Sequence, residues 1–371
     1  MSGQAMADVL TAVGVLVGLG AFLALVLVVA ERRLVHSGPV RLTINDADPV
    51  EVPGGEPLLS VLRERKIFVP SACGGRGSCG LCKVRILEGG GPVLPTETPH
   101  LSPEEIEDRV RLACQVKVRD DTAIEIPAHL LEVEEYEVRV EAIEELTYDI
   151  RRVRLAFGPG VAFRFRAGQY VQIETPIYDG LGEPVYRAYS ISSPPQDTDA
   201  VELIIRKVPR GICTTFVHEL LLVGDRLRIN GPYGDFYLRE TPAEAVFIAG
   251  GSGLAPFESI LADMVARGVR KKVTLFFGAV SRRDLYDLER LHAYGERLPG
   301  FSFVPALSHP DPGDDWQGET GLITDVVARH YGSMEGMEAY LCGSPGMIDA
   351  CVRVLTDKGV AEDRIFYDKF A

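Results

Sequence analysis

From Val9 to Ala30 the chain reads VLTAVGVLVGLGAFLALVLVVA, twenty-two residues without a charge. At about 1.5 Å per residue a helix of this length covers roughly 33 Å, enough for a hydrocarbon core of about 30 Å. Asp8 precedes the run and Glu31-Arg32-Arg33 follows it; the two arginines place the body of the chain on the cytoplasmic side. A cleaved signal peptide would carry a basic start and a shorter apolar core, and MSGQAMAD has no basic residue. Gly14 and Gly18 have the small-xxx-small spacing that can seat a partner helix, although a glycine-rich span produces it by chance.

Beyond the apolar run the pattern changes three times. Residues 40–52 alternate as two short strands around a polar turn. Leu58, Leu59 and Leu62 then share one face of a short helix ending near Lys66. After a cysteine-rich loop come strands at 83–87 (KVRIL) and 123–127 (AIEIP), completing a small sheet-and-helix unit. Residues 136–239 carry many short period-two runs (YEVRVEAI, IRRVRLAF, QYVQIET, VELIIRKV, DRLRING) punctuated by Gly and Pro, with one helix predicted around Thr215–Leu222. That density of strands predicts an antiparallel barrel. From Ala245 onward, apolar runs (AVFIA, VTLFFGAV, FSFVPAL, EAYLCG) alternate with helical stretches, the signature of a parallel sheet covered on both faces. The predicted architecture is multidomain: a membrane anchor over 1–36 with its helix at about 9–30, an α+β β-grasp unit about the size of a ferredoxin over 37–132, an antiparallel β-barrel over 133–239 and an α/β parallel-sheet domain over 240–371.

Composition sharpens this picture. A length of 371 residues is too long for one ordinary domain and fits two to three. The net charge of −14 argues against nucleic acid or anionic lipid headgroups as the main partner, because both require clustered Lys and Arg. Seven cysteines, an odd number spread over a long chain, do not form a disulfide framework and imply a reducing compartment.

Cys73, Cys79 and Cys82 form a C-x5-C-x2-C run in ACGGRGSCGLCKV, and Cys114 follows in RLACQV. Four thiolates suit a [2Fe-2S] core, and three close cysteines with one distant one match a plant-type ferredoxin loop, here one residue longer in its first spacing. Structural zinc would pair its ligands as two C-x2-C knuckles. Gly74, Gly75, Gly77 and Gly80 let the loop wrap closely, with amide N–H groups free to face sulfur.

Further on, RAYSISS (187–193) resembles the R-x-Y-S motif of the ferredoxin–NADP reductase superfamily. The resemblance implies that Arg187 neutralises the FAD pyrophosphate, Tyr189 stacks on the isoalloxazine and Ser190 lies near flavin N5. The residue types suit those tasks: a guanidinium for phosphate, an aromatic face for a ring, a hydroxyl for a polar edge. GICTTF (211–216) resembles the superfamily's phosphate turn, with Gly211 allowing close approach and Thr214 in place of a serine. FRAGQY (165–170) resembles its F-x-x-G-Q-Y strand. In GGSGLAP (250–256), Gly250, Gly251 and Gly253 permit a tight turn against a pyrophosphate, and Pro256 suits a first helical turn. CGSPGM (342–347) also resembles the superfamily, which implies Cys342, followed by Gly343, beside the nicotinamide. Cys213 and Cys351 read as core or turn residues. Ser281-Arg282-Arg283 follow a strand where arginine could hold a 2′-phosphate. The C-terminal RIFYDKFA implies, by the same resemblance, that Phe370 covers the flavin until nicotinamide displaces it.

The order of anchor, ferredoxin, flavin barrel and nicotinamide domain resembles the family of F subunits of the Na⁺-translocating NADH:quinone oxidoreductases across essentially the whole chain. GGGPVLPTE (89–97), ERKIFVPSACGG (64–75) and DPGDDWQGETG (311–321) add to that likeness. The resemblance implies NADH as substrate, FAD and one [2Fe-2S] cluster as cofactors, and membrane subunits of a quinone-reducing complex as partners, in a bacterial cytoplasmic membrane with the soluble domains in the cytoplasm. It also implies hydride transfer to FAD, with Ser190 and Cys342 orienting the rings once Phe370 moves aside, and single electrons passed to the cluster. The direct RKVPRGICTTF connection (206–216), without a longer Pro-rich insertion, resembles the soluble reductases of aromatic-ring oxygenases. A membrane-anchored NAD(P)H reductase feeding an oxygenase or desaturase is therefore the alternative. An electron carrier with an idle flavin site is a third reading, opposed by the intact motifs. The single span has no ionisable residue and so offers no ion path of its own.

Overall fold

The computed structural model describes residues 3–34, 38–178 and 184–369. The chain forms two compact units, residues 1–69 with 82–131 and residues 70–81 with 132–371. A helix runs from Gly3 to Leu34. Its side chains are described at 11–26 and 28, where the large apolar ones such as Val15, Leu16, Val17 and Phe22 are exposed. Among the described residues no helix is long and apolar enough to cross a membrane.

The smaller unit holds a five-stranded sheet of β1 (Pro39–Ile44), β2 (Val50–Pro53), β3 (Lys83–Glu88), β4 (Val110–Leu112) and β5 (Thr122–Glu125), in the order β2-β1-β5-β3-β4. β1 pairs with β5 in parallel and the other pairs are antiparallel. The helix Leu58–Glu64 buries Leu58, Leu59 and Leu62, the apolar face expected from their spacing, and buries Val61 as well. This is the β-grasp arrangement the pattern predicted. Its least legible piece was β4, whose three residues are too few to show a period. A buried ion pair lies beside β4. Arg111 donates from Nη2 to Glu97 Oε2 at 2.6 Å and from Nη1 to the carbonyls of Gly90 and Gly91. Burial pushes the Glu97 carboxyl up, but the Arg111 guanidinium and the amides of Leu94 and Leu112 outweigh it and hold the group below its ordinary range.

In the larger unit, β6 (Glu134–Glu145), β7 (Ile150–Phe157), β8 (Tyr170–Thr175), β9 (Val185–Ser190), β10 (Ala200–Arg206) and β11 (Arg226–Tyr233) form an antiparallel sheet in the order β10-β7-β6-β11-β8-β9. An antiparallel bridge between Ile191 and Leu203 joins its two outer strands and closes the barrel. Inward residues such as Val138, Val140, Val153, Leu155 and Ile173 make its core. The helix expected at Thr215–Leu222 begins three residues earlier, as Ile212–Thr215, and continues as a wider-pitched turn over Phe216–Leu220. Gly211 precedes it in an extended conformation, and the Thr214 hydroxyl accepts the Val208 N–H at 3.1 Å, so loop closure rather than apolar spacing sets its start.

The remaining strands are β12 (Ala245–Gly250), β13 (Val273–Ala279), β14 (Phe301–Leu307), β15 (Glu319–Thr320), β16 (Glu338–Gly343) and β17 (Ile365–Lys369), parallel in the order β15-β14-β13-β12-β16-β17. Alternate residues serve opposite faces. Phe247, Leu275, Phe277 and Tyr340 pack with the helix Ala255–Arg267 on one side. Val246, Ile248, Phe276 and Leu341 pack with the helices Ile323–His330 and Pro345–Asp357 on the other. Burial of both faces explains why these strands read as continuous apolar runs.

Candidate flavin, nicotinamide and cluster sites

The C-terminal ends of β12, β13 and β16 open onto a cleft of about 580 Å³ that also takes in the barrel strands β9 and β10 and the segment 70–81, all within the larger unit. Ligands of open parallel sheets sit at this edge, where helix amide groups also point. Arg187, Tyr189 and Ser190 at the end of β9 line the cleft on the barrel side, with Gly211, Cys213 and Thr214; Gly250, Gly251 and Ser252 line it on the sheet side. Residues separated by some sixty positions in the sequence thus face one cavity.

The details refine the expected roles. Arg187 Nη1 donates to the Tyr186 carbonyl at 2.7 Å, and burial lowers its affinity for the proton. Tyr189 and Cys213 are hydrogen-bonded to each other, and burial pushes both above their ordinary values. Cys213, read as a core or turn residue, therefore also lies in the cleft wall. The Ser190 hydroxyl, almost fully buried, donates to Asp368 Oδ2 at 3.3 Å. Burial drives the Asp368 carboxyl up despite that bond. Asp368 was not singled out from the sequence; its signal was an acidic residue two positions from Phe370, and Phe370 itself lies outside the described residues.

Gly253 and Pro256 do not line the cleft but shape it. A Cβ on Gly253 would lie 2.2 Å from the Cys342 carbonyl oxygen, so only glycine lets the turn pass over β16. Pro256 is the second residue of the helix Ala255–Arg267, whose N-terminus faces the cleft through Gly250 and Gly251. Tyr286 Oη donates to the Gly251 carbonyl at 2.8 Å and fixes the turn. Cys342 at the end of β16 is fully buried beneath the Gly253 turn, and burial raises its thiol well above the ordinary range. Gly343 follows it with φ +150°, and Ser344 caps the helix Pro345–Asp357 and lines the cleft. Of the arginines weighed for a 2′-phosphate, Arg282 donates to the Asp314 carbonyl at 2.8 Å and Arg283 stacks 4.5 Å over Tyr148. The cleft receives instead Asp284, whose carboxylate accepts the Ser281 N–H and hydroxyl and is held below its ordinary range, against the pull of burial.

Among the described residues no cysteine is joined in a disulfide. Cys73 and Cys79 lie in the larger unit with 3.4 Å between their sulfurs, while Cys82 and Cys114 belong to the smaller. Among the described residues no three His, Cys, Asp or Glu side chains gather as a ready-made metal site. The donor chemistry still fits an iron–sulfur cluster. Cys79 donates to the Cys73 sulfur, and the amides of Ser78, Cys79 and Gly75 point at it, holding Cys73 well below the ordinary thiol range against burial, while the same bond and burial push Cys79 up. Glycines 74, 75, 77 and 80 all have positive φ, the conformation that turns successive N–H groups toward an anion.

A barrel facing a parallel nucleotide sheet across one cleft, with a thiolate loop and a β-grasp unit, defines an iron–sulfur flavoprotein reductase. Profiles of three families match in that order: the 2Fe-2S iron-sulfur cluster binding domain at residues 42–119, the oxidoreductase FAD-binding domain at 137–237 and the oxidoreductase NAD-binding domain at 247–353. Among curated relatives, the F subunit of the Na(+)-translocating NADH-quinone reductase of Neisseria gonorrhoeae is 35% identical, covering 94% of this chain and 96% of its own. That of Serratia proteamaculans is 34% identical, covering 98% and 99%. The chain belongs to this family of F subunits. Among solved structures, a cytochrome P450 reductase of Amycolatopsis matches with a TM-score of 0.70 and 30% identity, covering 89% of this chain and 98% of its own. The ferredoxin reductase of carbazole 1,9a-dioxygenase gives 0.68 and 30%, covering 90% and 99%. The chain is an oxidoreductase with FAD and a [2Fe-2S] cluster, and electrons from NADH pass through the FAD to the iron–sulfur centre.

Proposed function

We propose that the chain is the electron-input subunit of a quinone-reducing, Na⁺-translocating membrane complex, anchored by one helix at about 9–30 with its soluble domains in the cytoplasm. Division into an anchor (1–36), a ferredoxin unit (37–132), a flavin barrel (133–239) and a nucleotide domain (240–371) belongs to the same reading. The observation that carries it is the shared cleft, in which the β9 motif Arg187, Tyr189 and Ser190 faces the Gly250-Gly251 turn.

The cleft residues would hold FAD, whose chemistry would supply acceptance of a hydride and release of electrons one at a time. Arg187 would neutralise the diphosphate, Tyr189 would stack on the ring, and Thr214 and Gly211 would hold the phosphate turn. Ser190, its hydroxyl hydrogen donated to Asp368, would turn an oxygen lone pair toward the reacting edge of the cleft. Gly250, Gly251 and the helix behind Pro256 would receive the nicotinamide nucleotide, with Gly253 shaping that turn where it packs on the buried Cys342 and with Gly343 leading into Ser344 at the cleft wall. Much of the barrier reduction comes from this positioning. Cys73, Cys79, Cys82 and Cys114 are the proposed cluster ligands, supported by their thiol-only chemistry and spacing. Phe370 is the proposed cover of the flavin.

A second reading, a membrane-tethered reductase of an oxygenase, is favoured by the likeness to the Amycolatopsis and carbazole dioxygenase reductases. The separating experiment purifies the chain with its membrane neighbours, adds NADH anaerobically, and follows flavin bleaching and the reduced-cluster EPR signal. Quinone reduction that requires the co-purified membrane subunits supports the first reading. An oxygenase as the co-purifying partner reassigns the chain to the second. Flavin bleaching without any cluster signal overturns electron transfer to the four cysteines.

A further inference from the structure

The cleft carries more positive charge on its barrel side than the protein neutralises. Four cationic side chains line it: Arg76, Arg187, Arg206 and Lys369. Two have carboxylate partners, Arg206 with Asp149 at 2.7 Å and Lys369 with Asp349 at 2.7 Å. Among the described residues neither Arg187 nor Arg76 is ion-paired. They are also close together. A Cβ on Gly74 would lie 1.8 Å from Arg187 Nη1 and 2.6 Å from the Tyr186 carbonyl oxygen, so the cysteine loop lies directly on the Arg187 head. Arg76 follows two residues later, and its charge, after burial, further disfavours protonation of Arg187. The loop is seated by Ser71, whose fully buried N–H donates to Gln172 Oε1 at 3.2 Å. Arg76 is exposed at the cleft rim and Arg187 lies deeper, so solvent screens their repulsion only in part, and an anion entering between the two guanidiniums would relieve the rest.

We infer that Arg76, carried on the cysteine loop between Cys73 and Cys79, is a second diphosphate-binding residue for FAD, acting with Arg187. The inference rests on the reading that the flavin occupies the barrel side of the cleft. The ligand is a diphosphate because two guanidiniums match its two charges and its paired oxygens. It is the diphosphate of FAD rather than that of NADH because Arg76 adjoins Arg187, whereas the Gly250-Gly251 turn lies on the sheet side. One consequence is a link between the two cofactors: bound FAD relieves the repulsion between Arg76 and Arg187 and clamps residues 70–81 onto the barrel. The loop that would carry two cluster ligands is thereby ordered by flavin occupancy.

The test uses the full chain with its cluster assembled, stripped of FAD and titrated with FAD, following flavin fluorescence. Arg76→Ala and Arg76→Gln should each weaken FAD binding by about 10- to 100-fold, the scale of one charge-assisted hydrogen bond, and Arg76→Lys should recover part of the loss. Cluster absorbance per chain should stay at the parent value, and hydrogen exchange across 70–81 in the parent should slow when FAD is added. FAD affinity within about twofold of the parent in both neutral variants overturns the inference. So does a change confined to NAD⁺ affinity, which would assign Arg76 to the other diphosphate. Arg187→Ala separates the two levels: if it leaves FAD binding intact, the placement of flavin in this cleft fails, whereas a loss in Arg187→Ala alone sinks only the role of Arg76.

Discussion

At the scale of residues, several side chains take roles that their neighbours in sequence do not reveal. Ser190 is placed by β9, but its hydroxyl is oriented by Asp368, 178 positions later on β17. Ser190→Ala should slow NADH-driven flavin bleaching in stopped flow by roughly tenfold, the rate equivalent of one neutral hydrogen bond, with FAD content unchanged. An unchanged rate would reduce Ser190 to a packing residue. The arginines 282 and 283 make the opposite point. Their type and position fitted a 2′-phosphate, yet the carbonyl of Asp314 and the ring of Tyr148 occupy them.

At the scale of elements, period and length decided what was legible. β12 announces itself because its apolar run is buried on both faces, and β6 and β8 because Val138 with Val140, and Val171 with Ile173, alternate with polar residues. β4 and β15 are too short to carry a pattern. The glycine-rich segment 89–97 owes its course to Arg111, which bonds Gly90, Gly91 and Glu97 together. Arg111→Ala should cost about 3–5 kcal/mol, because it leaves a buried Glu97 carboxylate without its partner; thermal unfolding of the variant measures it. The Glu97 carboxyl sits below its unfolded value, so the unfolded chain binds the proton more readily. Its stabilising contribution is therefore full above the unfolded carboxylate range and fades as pH falls through the depressed folded value. The parent should lose melting temperature on acidification more steeply than the Arg111→Ala variant does.

At the scale of the whole molecule, the apolar N-terminal run and the redox units are separable in chemistry. Removing residues 1–36 should leave NADH-dependent ferricyanide reduction within about twofold of the full chain, because none of the cleft residues lies there. The truncated chain should remain in the supernatant on ultracentrifugation while the full chain sediments with membranes. Co-sedimentation of the truncated form would move the membrane attachment to another part of the chain.

The sequence by itself determined the class of each unit and the chemical groups available. Cysteine spacing, the R-x-Y-S strand end, the glycine turn and the strand–helix rhythm are local signals, fixed by thiolate affinity, dihedral freedom and period of burial. Tertiary structure decided which of those groups share a cavity. It set Arg187 opposite Gly250, buried Cys342 under Gly253, brought Asp368 to Ser190 and laid the loop of Gly74 and Arg76 on Arg187. The physical reason is that local pattern encodes which face of an element is apolar, while the pairing of distant polar groups follows from how sheet and barrel pack, and leaves no period along the chain.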